Sequence, residues 1–337
     1  MTLHTGRGFA AINSPIGMNL GGDRSQALVD SNPDGKFTVA LCAIDLGQGM
    51  KSVTRKIAAE TLGVPVEDVY VASDTGPHDL GSFASRGAHR LGNAVIMAAR
   101  GARSVMLDAA AEELEVDPAD LVTDGKGNIH VKGAPARSIT TIAAAQAAQF
   151  KQGRTIAGRG IVLIPLSEVD PETGEMTPVS TFAHAAMLVT VEVDGETGEV
   201  TVTDMQSAYE VGRALNPRLV EQQLRGGAWM GMSHAAWETT EPYYPARDHG
   251  PVDFNTFLMP GPGDLAPHHI SVLQRPAADG PYGGKGPGEM CAIPVLPAVV
   301  NAVYDAVGVR IDDLPVTPEK VLRALQAQGG AKPRRRL

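Results

Sequence analysis

The run of sequence from Tyr282 to Val300, YGGKGPGEMCAIPVLPAVV, constrains the fold and the chemistry of this chain more than any other stretch. Four glycines and a proline surround one carboxylate, Glu289, and an apolar, helix-like segment follows at once. Glycine lets backbone approach a ligand closely, and a helix N-terminus favours negative charge. The run therefore predicts a backbone cradle for an anionic cofactor with Glu289 as a general base. The alternative is a tight turn that carries a surface glutamate.

Length, charge and cysteine content bound the class of protein. The 337 residues, 43% of them hydrophobic, are enough for two or three compact cores, and no run of about eighteen apolar residues predicts a membrane span. A net charge of −9 argues against nucleic acid as the main partner. The chain has two cysteines, Cys42 and Cys291, which are too few for a disulfide scaffold, so the sequence predicts cytoplasmic residence. They are also too few for a four-thiolate iron–sulfur cluster, so any iron–sulfur cluster is predicted to lie on another chain.

The order of strand and helix patterns predicts an α+β protein of two layered α/β subdomains, 1–150 and 180–330, joined by a connection over 151–179. In the first part the predicted elements are strands at 37–45 and 69–72, helices at 50–62 and 93–114, a hairpin at 120–131 and a helix from Ser138 to Phe150. In the second part they are strands at 186–193 and 199–205, helices at 217–238 and from Thr317 onward, and a long loop over 242–281.

Two other sequence patterns predict no site. Residues 6–11 satisfy G-x-G-x-x-A, but no strand is predicted before them, so a dinucleotide-binding fold is disfavoured. The doublet His268-His269 lacks the spacing of a metal-ligand motif and is predicted to lie on the surface. The sequence therefore predicts no metal ion held by protein side chains.

The segments Gly283–Glu289 and Asn301–Ala306 resemble the C-terminal signature of the molybdenum-pterin-binding subunit in the xanthine dehydrogenase and aldehyde oxidase family. That signature is G-x-K-G-x-G-E, then Pro-rich apolar sequence, then N-A-(V/I)-Y-D-A. The resemblance extends over nearly the whole chain and implies the second molybdenum-cofactor-binding domain of the family, with 1–150 as its first half and 180–330 as its second. It implies that Glu289 is the catalytic base, and that the cofactor-binding residues of this loop are Lys285, Gly286 and Gly288.

A second loop, Asp45–Gly49, resembles the D-x-G-Q-G motif of the same family. It follows a predicted strand and precedes a predicted helix, which is the usual place for an anion site in an α/β unit. The resemblance implies that Gly47, Gln48 and Gly49 bind the pterin cofactor. The alternative is a simple strand-to-helix turn, which needs the glycines but not the amide of Gln48.

Two further segments resemble the family's cofactor-binding motifs. Asp74-Thr75 and the run GSFASRGAHRLGN at 81–93 correspond to G-D-T and S-R-x-x-x-x-G-N-A. They imply cofactor binding by Thr75, Ala84, Ser85 and Arg86. Without the resemblance, Arg86 and Arg90 predict only an ordinary basic face.

Another loop, Gly212–Pro217, resembles the family together with the two residues before it and the helix after it. The family pattern is D-x-G-x-x-(I/L)-N-P followed by G-Q-x-x-G-G. Gln223 aligns with the motif's glutamine, which implies that it binds the cofactor. The chain departs from the pattern at Glu210, where the family has Asp, and at Gln222, where the family has Gly. These departures put the local backbone contacts in doubt, but not the fold.

The resemblance implies a molybdenum hydroxylase that oxidises an N-heteroaromatic (nicotinate- or purine-like) or aldehyde substrate, with water as the oxygen source. The implied cofactor is molybdopterin in its cytosine dinucleotide form, with molybdenum bound by the pterin. The family's molybdenum-binding unit is normally much longer and contains a G-G-x-F-G loop that this sequence lacks.

We therefore expect a split enzyme like nicotinate dehydrogenase. A separate chain is expected to supply the first half of the unit, and 2Fe–2S and FAD subunits to accept the electrons. Reductive dehydroxylation of an aryl thioester stays open as a reaction. A non-catalytic scaffold or assembly subunit is the alternative function.

Overall fold

A computed structural model describes residues 2–18, 22–73, 79–164, 168–177, 179–239, 251 and 253–329. The strands are β1 Leu3–Pro15, β2 Asp23–Ser31, β3 Phe37–Leu41, β4 Val69–Ala72, β5 Leu121–Thr123, β6 Asn128–Val131, β7 Ala134–Thr140, β8 Ala157–Ile164, β9 Phe182–Asp194, β10 Val200–Glu210 and β11 His268–Leu273. The helices are α1 Met50–Leu62, α2 Gly87–Leu114, α3 Thr141–Gln146, α4 Pro217–Ala236, α5 Val295–Val307 and α6 Pro318–Gln328. The predicted α+β class is confirmed.

The first layer is a four-stranded sheet in the order β4-β3-β2-β8, covered by α1 and α2. Strands β3 and β4 are parallel, and α1 connects them. The Ala-rich face of α2 packs very closely on β8, since a Cβ at Gly158 or Gly160 would lie about 2 Å from the carbonyl oxygens of Ala98 or Ala94. Small residues on both elements therefore set the position of α2, whose N-terminus enters the candidate site.

The second layer is a sheet in the order β1-β9-β10-β11, covered by α4, α5 and α6. Gly6 and Gly8 lie within β1, where a Cβ would come within about 2 Å of the α5 carbonyl oxygens of Ala302 and Ala298. The glycines of the G-x-G-x-x-A pattern thus serve helix–strand packing. Among the described residues, no helix is both long and apolar enough to cross a membrane.

Several predicted elements need correction. Helix α2 begins at Gly87, six residues before the predicted start, and β3 ends at Leu41 rather than at 45. Ser138 lies inside β7 and caps no helix; the N-cap of α3 is Thr140, whose hydroxyl accepts from the Ala143 N–H.

Five strands, β1, β2, β7, β8 and β11, lie where none was predicted, and one of them joins the sheet of the other half of the chain. Residues 151–179, predicted as a connection, contain β8, and the predicted loop 242–281 contains β11. Strand β1 pairs with β9, about 180 residues away, rather than with a strand of its own half. The boundaries at 150 and 180 stay a prediction.

His268 is half-buried on β11 rather than on the surface, with its Nε2 2.8 Å from the Ser207 hydroxyl oxygen. Burial, helped by the positive charge of Arg225, lowers the pKa of His268 from 6.5 to about 4. The unfolded chain therefore binds this proton below about pH 6.5, whereas the folded chain does not until about pH 4. We expect stability to fall as the pH drops through this window, and His268→Gln to remove that part of the fall.

The measurement is the unfolding temperature between pH 7 and pH 4.5 for the wild type and two variants. His269→Gln is the matched control, because the neighbouring side chain is 70% exposed. If the unfolding temperature depended on pH in the same way in the wild type and in His268→Gln, His268 would not be the source of the loss of stability.

Candidate active site

The glycine-rich loop before α5 lies directly against the turn that precedes α2. A Cβ at Gly286 would lie 1.8 Å from the carbonyl oxygen of Ser85, and one at Gly288 would lie 3.3 Å from the Ser85 hydroxyl oxygen. Gly286 is therefore required by the close approach of one backbone to another, whereas at Gly288 a Cβ would only crowd the Ser85 side chain. The contact joins two segments about 200 residues apart in sequence.

Glu289 is held at this junction by three hydrogen bonds. The Ala84 N–H donates to Glu289 Oε1 at 3.0 Å, and the Ser85 hydroxyl donates to Oε2 at 3.3 Å. The backbone N–H of Glu289 donates to Ser85 Oγ at 2.9 Å. The carboxylate is exposed apart from these contacts. It is thus fixed in position with one side open to a reacting group, as a general base requires.

The turn that holds Glu289 has an unusual backbone conformation. Ala84 and Ser85 have φ values of 46° and 53°, in the left-handed region that residues with a Cβ rarely adopt. Each such residue costs on the order of 1 kcal/mol, so the surroundings must enforce the conformation. It directs the Ala84 N–H and the Ser85 hydroxyl at the same carboxylate.

The N-termini of α1 and α2 meet beside this turn. A Cβ at Gly87, the first residue of α2, would lie 2.6 Å from Cε of Met50, the first residue of α1. No side chain of the described residues caps α2, whose N-cap is Arg86. The first-turn N–H groups of α2 and its dipole therefore favour an anion at this place.

The loop Asp45–Gly49 forms the N-terminus of α1. The Asp45 carboxylate accepts hydrogen bonds from the N–H groups of Gly47, Gly49 and Lys51 at 3.0–3.1 Å. Burial alone would raise the pKa of Asp45, but these three bonds outweigh it and lower the pKa. Gly47 and Gly49 have φ values of 110° and 84°, which explains the glycines. Open space surrounds the Cβ position of Gly47.

The amide of Gln48 is engaged by its own loop. Its Oε1 accepts from the Leu46 N–H at 2.5 Å, and its Nε2 donates to the Ile44 carbonyl at 2.8 Å. The side chain therefore holds the loop in shape, and one amide hydrogen stays available to a ligand.

The side chain of Lys285 points into the protein. Its ammonium group donates to Glu210 Oε2 at 2.5 Å and to the Phe182 carbonyl at 2.7 Å. The side chains of Lys285 and Glu210 are 11% and 7% exposed. Glu210 Oε1 also accepts from the Gly212 N–H at 2.8 Å. Glu210, which stands where the family pattern has Asp, therefore connects the glycine loop to β10.

Arg86 is 1% exposed, and its guanidinium uses all of its N–H donors inside the protein. Its partners are Asp23, Asp79, Ser25 Oγ and the carbonyl oxygens of Gly81 and Arg24. The structure therefore places this side chain behind the Ala84–Ser85 turn rather than in the open site. Thr75 lies outside the described residues.

Cys291 follows Glu289 closely but is chemically shielded. Its thiol donates to the Gly288 carbonyl at 2.9 Å, and the residue is buried. Burial raises the pKa of the thiol to about 11, so little thiolate is present near neutral pH. A cysteine nucleophile at this position is disfavoured.

Helix α4 completes the site on the side of the glycine loop. Gln223 is half-buried on this helix, near its start. A Cβ at Gly227 would lie 2.0 Å from Cys291 Sγ, whereas nothing lies within 4 Å of the Cβ position of Gly226. Gly227 is therefore needed for packing against Cys291, whereas Gly226 borders open space.

The two neighbouring glycines of α4 give a matched prediction. Gly227→Ala is expected to destabilise the fold by about 1–3 kcal/mol, because the new methyl group overpacks against Cys291. Gly226→Ala is expected to be neutral or to stabilise by about 0.5–1 kcal/mol, as alanine does inside a helix. Thermal and urea unfolding of both variants measures the difference. Equal loss of stability in the two would contradict the packing described for α4.

Two residues that contribute to the site carry no signal in the sequence. Asp23 at the start of β2 bonds to Arg86, 63 residues away, so no local motif marks it. Tyr282 adopts a φ of 49°, and its hydroxyl lies 2.8 Å from that of Thr61 on α1. It therefore anchors the beginning of the glycine loop. Only the pairing of distant segments shows either role.

Comparison with known proteins gives a consistent result. Residues 2–251 match the family model of the molybdopterin cofactor-binding domain. A probable hypoxanthine oxidase of Escherichia coli K12 is 30% identical over 96% of this chain and 32% of its own length. The nicotine 6-hydroxylase large subunit of Paenarthrobacter nicotinovorans is 30% identical over 88% of this chain and 36% of its own length.

Solved structures agree with the sequence matches. Quinoline 2-oxidoreductase from Pseudomonas putida 86 superposes with a TM-score of 0.81 at 29% identity, covering 96% of this chain and 42% of that one. The chain spans about a third of the length of the curated relatives it matches.

Proposed function

The chain belongs to the molybdopterin cofactor-binding family of the xanthine dehydrogenases and aldehyde oxidoreductases, and from this premise we propose that it is the part of a molybdenum hydroxylase that carries the catalytic base. The observation that carries the proposal is the position of Glu289. Its carboxylate is held by the Ala84 N–H and the Ser85 hydroxyl where the glycine loop meets the N-terminus of α2. A scaffold subunit has no need of an acid fixed in this way.

The residues of the site fit an anionic pterin cofactor. Open space at the Cβ positions of Gly47 and Gly226 leaves room for a ligand. The uncapped N-terminus of α2 suits a phosphate group. The N–H groups of Gly47, Gly49 and Ala84 are bonded to Asp45 and Glu289, so these residues are proposed to contribute the close approach of their backbone. The backbone N–H of Ser85 and the amides of Gln48 and Gln223 are proposed to donate to the cofactor. The cytosine dinucleotide form, and cofactor contacts by Thr75, belong to the same proposal.

When bound, such a cofactor supplies a two-electron oxidation of an electron-poor carbon with water as the oxygen source. The part of this chain is to accept a proton at Glu289, whose carboxylate is held in place by Ala84 and Ser85. Lys285 contributes by orientation, because its ammonium fixes the glycine loop to Glu210 and Phe182.

The proposed substrate is an N-heteroaromatic compound, with an aldehyde as the second possibility. Two curated relatives and a solved structure are named for hypoxanthine, nicotine and quinoline, all N-heteroaromatic. An aldehyde oxidoreductase molybdenum-binding subunit is also among the relatives, at 29% identity over 90% of this chain.

A further polypeptide segment is proposed to cover the open side of the site. The relatives are about two and a half to three times as long as the aligned region, and two of these three are named as subunits. Around the loops of the site, the exposed side chains of Leu46, Phe83, Met230 and Ile293 are apolar. Covering them would exclude water from the reacting groups. Subunits with 2Fe–2S clusters and FAD, in a cytoplasmic complex, complete the proposal.

The test is the content of the complex purified natively with this chain as bait. We expect molybdenum near one equivalent per chain, cytidine monophosphate after acid hydrolysis of the cofactor, and iron and flavin on co-purifying subunits. A stable complex without molybdenum after growth with ample molybdate would overturn the proposal and favour a non-catalytic scaffold.

A further inference from the structure

We propose that a buried cluster of Asp23, Arg86 and Arg90 is a positioning device for Glu289. The inference rests on the proposed function for the role of Glu289, but its structural part stands on this chain alone. The cluster holds the Ala84–Ser85 turn in its left-handed conformation, and the turn in turn sets the place of the carboxylate.

The three charged side chains share one fully buried contact. Asp23 Oδ1 accepts from Arg86 Nε at 2.5 Å, and Asp23 Oδ2 accepts from Arg90 Nε at 2.9 Å. Each of the three side chains is 1% exposed. Asp79, also bonded to Arg86, supplies the second negative charge. The cluster is thus balanced, with two guanidinium and two carboxylate groups.

The cluster reaches the turn from both sides. Arg90 Nη2 donates to the Ile16 carbonyl at 2.8 Å. The next residue, Gly17, donates its N–H to the Ala84 carbonyl at 2.7 Å. A Cβ at Gly17 would lie 2.3 Å from Asp23 Oδ2, so this backbone rests directly on the ion pair. On the other side, Arg86 directly follows Ser85 in sequence.

The position of the cluster explains an otherwise costly arrangement. Buried ion pairs are weak evidence for stability, because apolar residues of equal volume often serve as well. What such a cluster provides is a single fixed geometry. Among the described residues, Ala84 and Ser85 are the two consecutive non-glycine residues with positive φ. The cluster adjoins this strained turn through Gly17 and Arg86, and the turn directs two donors at Glu289.

The test uses two cluster variants in the natively purified complex. Arg90→Lys keeps the charge but loses the planar fork that spans Asp23 and the Ile16 carbonyl. Asp23→Asn keeps the shape and removes the charge. Hydrogen–deuterium exchange is followed in the peptides covering 82–87 and 286–292. Arg154→Lys, in an exposed pair with Glu112, is the matched control.

We expect exchange to rise about tenfold in both peptides in the cluster variants, and in neither for the control. In loaded enzyme, kcat normalised to molybdenum content should fall roughly 100-fold while KM stays near wild type, as for a misplaced catalytic group. Faster exchange at 82–87 with wild-type exchange at 286–292 would reduce the cluster to local support and overturn the proposal.

The exchange measurement also separates this inference from the proposed function. If the complex contains no molybdenum but the two peptides still respond together, the coupling stands and the catalytic role of Glu289 fails. If Asp23→Asn does not fold, the exchange measured in Arg90→Lys decides whether the proposal stands, because this variant retains both charges of the pair with Asp23.

Discussion

Glu289→Gln is expected to lower kcat by about 10²–10⁴-fold in the molybdenum-loaded complex, the range associated with loss of a general base. Glutamine keeps the length of the side chain and an oxygen that accepts from the Ala84 N–H. Its amide nitrogen can donate to Ser85 Oγ, which lies 3.3 Å from Oε2 in the wild type. The geometry is therefore retained and only the proton acceptor is lost. Steady-state turnover, normalised to molybdenum content, measures the effect.

Two further variants decide what the loss means. Glu172→Gln, at an exposed glutamate in a surface turn, is the control and should match the wild type. Glu289→Asp keeps the charge but withdraws it by one methylene group, so an intermediate rate is expected. Wild-type turnover in Glu289→Gln at full cofactor loading would remove Glu289 from the mechanism.

Lys285→Met is expected to destabilise the protein by about 3–5 kcal/mol, because it leaves a buried carboxylate at Glu210 without its cation. The two side chains are 11% and 7% exposed, so solvent cannot compensate well. The bond from Lys285 to the Phe182 carbonyl is also lost, which removes one of the side-chain links between the glycine loop and the second sheet. Urea unfolding monitored by circular dichroism measures the change, and cofactor retention should fall with it.

The control and the double variant separate pairing from packing. Lys151→Met breaks an ion pair with Glu113 whose side chains are 67% and 25% exposed, and should cost no more than about 1 kcal/mol. Lys285→Met combined with Glu210→Gln removes both charges, keeps an oxygen that accepts from the Gly212 N–H, and should recover much of the loss. Equal destabilisation by the single and double variants would show that the pair itself contributes little.

The sequence by itself determined the class of fold and most of the regular elements. Alternation and helical periodicity predicted strand 69–72, helix α1 to Leu62 and the hairpin of β9 and β10, because these patterns are local. Thr317 with Pro318 correctly predicted the start of α6. The family resemblance, carried by short motifs, is confirmed by the family model.

Only the tertiary structure decided how distant segments combine. Strand β1 joins the sheet of the second half and β8 that of the first, pairings that no local pattern specifies. The left-handed turn at Ala84–Ser85 is hydrogen-bonded to Gly17 and Glu289, which lie 67 and 205 residues away from Ala84 in the sequence.

The directions of the charged and amide side chains were likewise decided by the tertiary structure. The sequence motifs assign Gln48, Arg86 and Lys285 to the site, yet all three side chains bond to the protein itself. Asp23, which no motif marks, lies at the centre of the buried cluster. The physical reason is that a motif fixes which groups are present and where the backbone can turn. The direction of a charged side chain depends on partners that are tens to hundreds of residues away.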